Sequence, residues 1–161
     1  MPNLDRIDLS LLRMVMQDAR IPHKDIGEKL GISRASVHWR MQRLIDQGVI
    51  IGSGYKIDYK KLGYKTFTYI GIILERGSLY DAVRKRIEQI SEVTECHYTT
   101  GPYSMLIKLF ARDNDHLMEI LRSKIQAIDG VVSTETMISL EESINRPFLM
   151  GLDAPLLEME Q

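Results

Sequence analysis

A glycine at position 31 constrains this chain more than any other residue. Before it, Ile26 and Leu30 lie four apart in His23–Leu30, and Pro22 stands where a helix can begin. After it, Ser33 is a good N-cap for a run over Ser33–Gln47 with the apolar stripe Val37, Met41, Leu44 and Ile45. Glycine ends the first of these helices because it takes the left-handed C-terminal position without a Cβ clash. Gly48 ends the second. An earlier helix is predicted over Leu4–Gln17 from Leu4, Ile7, Leu11, Met14 and Val15; Asn3 or Asp5 caps it, and Asp5 and Asp8 suit its first turn. Helix, short break centred on Gly31–Ile32, helix is the spacing of a helix-turn-helix.

The face opposite the stripe carries Arg34, Ala35, Ser36, His38, Trp39, Gln42 and Arg43. Ser33 and Ser36 sit where a helix N-terminus favours phosphate. Arg34, His38 and Gln42 are placed for base edges, while Arg40 and Arg43 are expected at the DNA backbone. Trp39 is expected to stack on a sugar or thymine methyl, or to pack on a neighbouring helix. The chain as a whole has 21 basic and 22 acidic residues, which does not describe a basic coat. Yet from Ser33 to Leu44 every charge is positive, and a phosphate feels local field within roughly 8–10 Å. A positive helix face is often merely solvated. The serines at the helix start, with acid held back to Asp46, favour double-stranded DNA as the partner. Val49–Ile51 and Tyr55–Ile57 flank Gly52-Ser53-Gly54 and read as a hairpin or wing, with Lys56, Lys60 and Lys61 able to reach phosphate.

Beyond a connector, period-two apolar runs predict strands over Lys65–Leu74, Val93–Thr100, Ser104–Ala111 and Val131–Leu140. Leu79, Val83, Ile87 and Ile90 mark one helix; Leu117, Ile120, Leu121, Ile125 and Ile128 mark another, opened by Asp113 or Asp115. The order is βαββαβ, a ferredoxin-like unit. The fold class is therefore α+β: an N-terminal winged helix-turn-helix domain and a C-terminal ferredoxin-like domain. The expected divisions are 1–52 for DNA, 53–64 as wing and linker, 65–142 as the βαββαβ domain and 143–161 as an apolar tail. Helices cover one face of such a sheet. The other would be bare and apolar, formed by Ile70, Ile72 and Leu74 or by the opposite row with Phe67, Tyr69 and Ile73. Such a patch is economically buried by two-fold self-association.

Several functions lose ground on chemistry. The longest apolar stretch, Tyr69–Leu74, is too short to span a bilayer, and the N-terminus runs straight into charge. A cytoplasmic protein is expected. Cys96 is the one cysteine, so no intrachain disulfide forms, and it reads as a core residue rather than a nucleophile. His23, His38, His97 and His116 lack ligand spacing, and Cys96 and His97 alternate across a strand, so no metal is expected. No phosphate-binding glycine loop appears, and no cofactor is expected. A small ferredoxin-like enzyme is an alternative, but it lacks a convergent acid/base pair. So is an amino-acid-binding assembly module with a vestigial helix-turn-helix, against which the basic face speaks. Phe148, Leu149, Met150, Leu152, Leu156 and Leu157 are too apolar for a free tail, which is expected to pack on a partner subunit.

In order and spacing the chain resembles the Lrp/AsnC family of transcription regulators. The resemblance runs from Asn3 to Leu140. It is carried by Leu4-Asp5-Arg6-Ile7-Asp8, Ile26-Gly27-Glu28-Lys29-Leu30-Gly31-Ile32-Ser33 and Leu44-Ile45-Asp46-Gln47-Gly48-Val49-Ile50. Further on it rests on Thr99-Thr100-Gly101-Pro102-Tyr103-Ser104, Lys124-Ile125-Gln126 and Ser133-Thr134-Glu135-Thr136. It implies a regulator that dimerises through its sheet, assembles into octamers and responds to an amino acid. The effector would sit at Thr100, Gly101, Pro102, Tyr103 and Ser104, joined by Gln126, Thr134 and Thr136. Leucine-responsive members usually carry aspartate in the place of Ser104. Serine is closer to the asparagine-responsive branch.

Overall fold

The computed structural model describes residues 3–148. The chain divides into two units: Met1–Lys56 together with the segment from Asn145, and Ile57–Ile144.

In the first unit α1 spans Arg6–Gln17, α2 His23–Leu30 and α3 Arg34–Asp46. Asp5 caps α1 and Ser33 caps α3, its oxygen accepting the Ser36 N–H at 3.1 Å. Gly31 closes α2 at φ 67°. Leu11, Leu12, Ile26, Val37 and Leu44 form a small core, with Met14, Leu30, Met41 and Val49 packed around it. The expected hairpin is not present: residues 51–58 pair with no strand. Gly52-Ser53-Gly54 offers no apolar side chain to bury, and Ile51 stands 95% exposed. A lone two-stranded ribbon without a packed face is marginal in water.

The second unit follows the predicted order: β1 Thr66–Leu74, α4 Tyr80–Ile87, β2 Val93–Tyr98, β3 Met105–Ala111, α5 Asn114–Glu119 and β4 Val131–Ile138. Every pairing is antiparallel, in the order β2-β3-β1-β4. Ile70, Ile72 and Leu74 face the helices with Met105, Ile107 and Leu109, against Val83, Ile87, Ile120 and Ile125. The opposite row is therefore the open one. Phe67, Tyr69, Gly71 and Ile73 lie there beside Leu106, Lys108 and Phe110. Tyr69 and Ile73 are exposed.

The second helix is not α-helical throughout. After α5, capped by Asp113 through the His116 N–H at 2.8 Å, Ile120–Ile125 is π-helical. The buried residues are Leu117, Ile120, Ile125 and Ile128. The five-residue step from 120 to 125 exceeds an α turn, so the chain widens by one residue to keep Ile125 inside. Lys124 is thereby left outside, where its Nζ meets Glu92 at 2.9 Å.

Candidate nucleic-acid interface and effector turn

The back of α3 is fastened to the start of α1 by charge. Asp5 and Asp8 make a reciprocal capping box: the Asp8 N–H donates to Asp5 at 2.8 Å and the Asp5 N–H to Asp8 at 3.0 Å. The same carboxylates hold α3. Arg40 Nη1 donates to Asp5 Oδ2 and to Asp8 Oδ1, each at 2.7 Å, and Arg43 Nη2 donates to Asp8 Oδ2. Asp8 is 0% exposed. Each pair is spaced i, i+3, so two residues on one helix face meet two on the other. Burial raises the Asp5 carboxyl, but the Asp8 amide and the Arg40 guanidinium outweigh it and hold it below its ordinary value. Hydrogen bonds to Asp5 and Asp8 push Arg40 up.

Arg40 and Arg43, expected at the DNA backbone, are engaged instead with Asp5 and Asp8 of the same chain. Two cations facing two anions leave no net charge there, and a buried carboxylate without its partners would be strongly destabilising. The sequence did hold a signal in the matched spacing of Asp5/Asp8 and Arg40/Arg43. By sequence alone that spacing is ambiguous, because capping already accounts for both aspartates.

What α3 presents outward is Arg34, Ala35, His38, Trp39 and Gln42, with Ser36 half-buried. Trp39 is 59% exposed, and the Arg43 guanidinium carbon lies 4.9 Å from its ring centroid. That cation–π contact sets the orientation of the indole. The rings of His38 and His23 lie 5.9 Å apart. Gln42 donates to Asp46 along its own helix at 2.9 Å.

In the other unit the turn between β2 and β3 is tied at its base. The Thr99 N–H donates to the Ser104 carbonyl at 3.2 Å, and Thr99 Oγ1 donates to the Tyr103 carbonyl at 2.9 Å. Thr100, Gly101 and Pro102 form the exposed tip, with Gly101 at φ 111°, a conformation that side chains with a Cβ rarely adopt. The Ser104 hydroxyl accepts the Leu74 N–H at 3.2 Å. The Tyr103 ring lies flat over Gly71, where a Cβ would come within 2.5 Å of it. Its hydroxyl donates to Glu135 at 2.7 Å, a bond that pushes the phenol pKa up.

The predicted effector residues do not gather into one cup within the chain. Thr134 pairs with Ile72 and Thr136 with Ile70, so both sit on the helix-covered face, where Gln126 donates to Thr134 at 2.8 Å. Glu135, opposite Gly71, points to the open face with Tyr103. Strand alternation separates the two sets. Glu135 itself was not anticipated, because its partner depends on the β1/β4 register.

Cys96 is half-buried, and burial pushes its thiol up, away from the thiolate a nucleophile needs. Among the described residues no cluster of three or more His, Cys, Asp or Glu could hold a metal, and no helix is long and apolar enough to cross a membrane.

Comparison with known families agrees with both units. A winged helix-turn-helix DNA-binding family matches residues 4–51, and the Lrp/AsnC ligand binding domain matches residues 68–148. The chain belongs to the Lrp/AsnC family. The regulatory protein AsnC of Haemophilus influenzae is 39% identical over 146 residues, covering 91% of this chain and 97% of that protein. AsnC of Escherichia coli K12 is 37% identical, covering 89% and 94%. The solved structure of E. coli AsnC superposes with a TM-score of 0.88 at 36% identity, over 92% of this chain and 99% of that one. A feast or famine regulatory protein of M. tuberculosis, solved with L-methionine, matches with a TM-score of 0.83 at 26% identity, over 89% and 96%. This Lrp/AsnC member is thus a helix-turn-helix transcriptional regulator and not an enzyme.

Proposed function

We propose that this protein regulates transcription in the cytoplasm by binding double-stranded DNA as a two-fold assembly, and that a free amino acid adjusts that binding. The observation that supports the DNA-reading surface best is the division of labour on α3. Arg40 and Arg43 fasten its back to Asp5 and Asp8, which leaves Arg34, His38, Trp39 and Gln42 on a rigid outward face. Ser33 and Ser36 at the helix start meet phosphate, and Arg34 reaches a base edge or the adjoining phosphate. A second α3, supplied by a second copy, reads the other half-site.

The open sheet face supports the dimer. Tyr69, Ile73 and Met137 are exposed on it, flanked by Leu106 and Phe110. Further association into an octamer rests on the family alone. The effector reading centres on Thr100–Ser104. Gly101 exposes backbone N–H groups that suit a carboxylate, and the Tyr103–Glu135 pair offers an acceptor for an ammonium group. Gln126, Thr134 and Thr136 lie on the other face, so they complete the site only if a neighbouring copy brings the two together. With serine rather than aspartate at 104, a small polar amino acid such as asparagine is favoured over leucine.

A gel-shift titration on the promoter DNA adjoining the protein's own coding region, with each of the twenty amino acids in turn, tests the reading. Salt-dependent binding that one polar amino acid changes 5–150-fold is expected. Binding that no amino acid alters counts against the effector, and no sequence-specific shift counts against the whole reading.

A further inference from the structure

Trp39 is the one tryptophan of the chain, and it stands outside. It falls in the first half of the thirteen-residue α3, among the outward residues Ala35, His38 and Gln42, with 59% of its surface exposed. An indole there wets a large apolar ring; it carries one donor, its Nε1–H, and no acceptor. One turn earlier Ala35, also exposed, has only a methyl group. The backward lean of helical side chains therefore meets no bulky neighbour.

The ring is not free to turn. One turn further on, the Arg43 guanidinium carbon lies over it, 4.9 Å from the centroid. The same guanidinium donates through Nη2 to Asp8, which is fully buried and belongs to the capping box of α1. A buried carboxylate thus holds a cation, and the cation covers one face of the indole. Arginine suits both tasks, because a planar fork can stack on a ring while it donates to a carboxylate; a lysine ammonium is a hydrated point charge. The opposite face and the outer edge of the ring are left for a partner.

Major-groove chemistry narrows what that partner is. Thymine alone shows an apolar group there, its C5 methyl, beside the O4 acceptor. Adenine and cytosine show amino donors that an indole cannot accept, and guanine shows two acceptors to its single N–H. Covering polar base edges with hydrocarbon leaves them unpaired, whereas covering a methyl does not. A ring braced beforehand also loses little freedom on binding. We propose that Trp39 reads a thymine methyl in the major groove and that Arg43 is the positioning residue that fixes its ring, an inference that rests on the DNA-reading role of α3 proposed above.

The test takes the promoter site that the full-length protein binds and replaces each thymidine in turn by deoxyuridine, which removes only the methyl group. At the thymine that Trp39 covers, gel-shift affinity of the unsubstituted protein should fall about fourfold, the ratio given by burial of one methyl. Trp39→Ala should bind more weakly and bring that ratio to about one, and Arg43→Lys should bring it below about two. In the free protein Arg43→Lys should also lower the fluorescence anisotropy of the single tryptophan, as its ring gains motion. A fourfold ratio that survives Trp39→Ala, or specific binding in which no thymine methyl counts, would overturn the inference and leave α3 as the DNA reader. An unchanged ratio in Arg43→Lys would overturn the positioning role. Absence of specific binding by the unsubstituted protein would overturn both the inference and the DNA-reading role beneath it.

Discussion

Arg40 Nη1 donates to Asp8 Oδ1 at 2.7 Å, and through this pair α3 is registered on the first turn of α1. Asp8 has no exposed surface, and Arg43 binds its other oxygen. One carboxylate thus caps a helix and clamps another. The basic residues of α3 divide accordingly: Arg40 and Arg43 hold the helix and Arg34 stands exposed, the residue proposed to read DNA.

Arg34→Ala should therefore weaken DNA binding by about 1–3 kcal/mol and leave thermal stability within about 0.5 kcal/mol. Arg43→Ala should lower both. Asp8→Ala should remove roughly 3–5 kcal/mol of stability, because it strands the mostly buried Arg43 guanidinium and leaves Arg40 with Asp5 as its one carboxylate partner of the two. Denaturant titrations beside gel shifts check the contrast. Equal stability losses for Arg34→Ala and Arg43→Ala would show that the clamp does not operate.

Glu92 sets an acid limit on the sheet unit. Burial raises its carboxyl, but Lys124 at 2.9 Å, its own backbone N–H and the Ser91 hydroxyl outweigh burial and hold it at about 2, against an ordinary 4.5. A depressed pKa stabilises above the unfolded value. That stabilisation, about 3 kcal/mol, should be complete above pH 4.5 and be lost as pH falls from 4.5 towards 2. Lys124→Met should shrink the loss. Parallel acid unfolding curves for the two proteins would refute the assignment.

The open sheet face should carry association. Tyr69→Asp with Ile73→Asp places two carboxylates on it without touching the helix-covered core. Sedimentation at micromolar concentration should show a shift to smaller species than the unsubstituted protein. An unchanged distribution would mean that the copies meet elsewhere.

Gly101→Val should strain the turn tip, where φ is 111°, and crowd the amides offered to a carboxylate. Amino-acid binding measured by calorimetry should fall by at least tenfold, while DNA affinity without effector stays the same, since α3 lies in the other unit. An undiminished heat of binding would move the effector away from this turn.

Helix periodicity, Gly31 and the caps Asp5, Ser33 and Asp113 determined the elements and their order, because each of these signals acts within one or two turns of chain. They also determined which side of α3 is apolar. What tertiary structure decided were the pairings between segments far apart in sequence. Arg40 and Arg43 look like DNA contacts until α1 brings Asp5 and Asp8 within hydrogen-bond reach, more than thirty residues away. Tyr103 looks like a free hydroxyl until the β1/β4 register sets Glu135 beside it and Gly71 beneath it. The two apolar rows of β1 are nearly equivalent in composition; only the docking of α4 and α5 chose Ile70, Ile72 and Leu74 as core. Even the π turn at Ile120–Ile125 follows from that choice, since the core accepted Ile125 and left Lys124 to meet Glu92 outside.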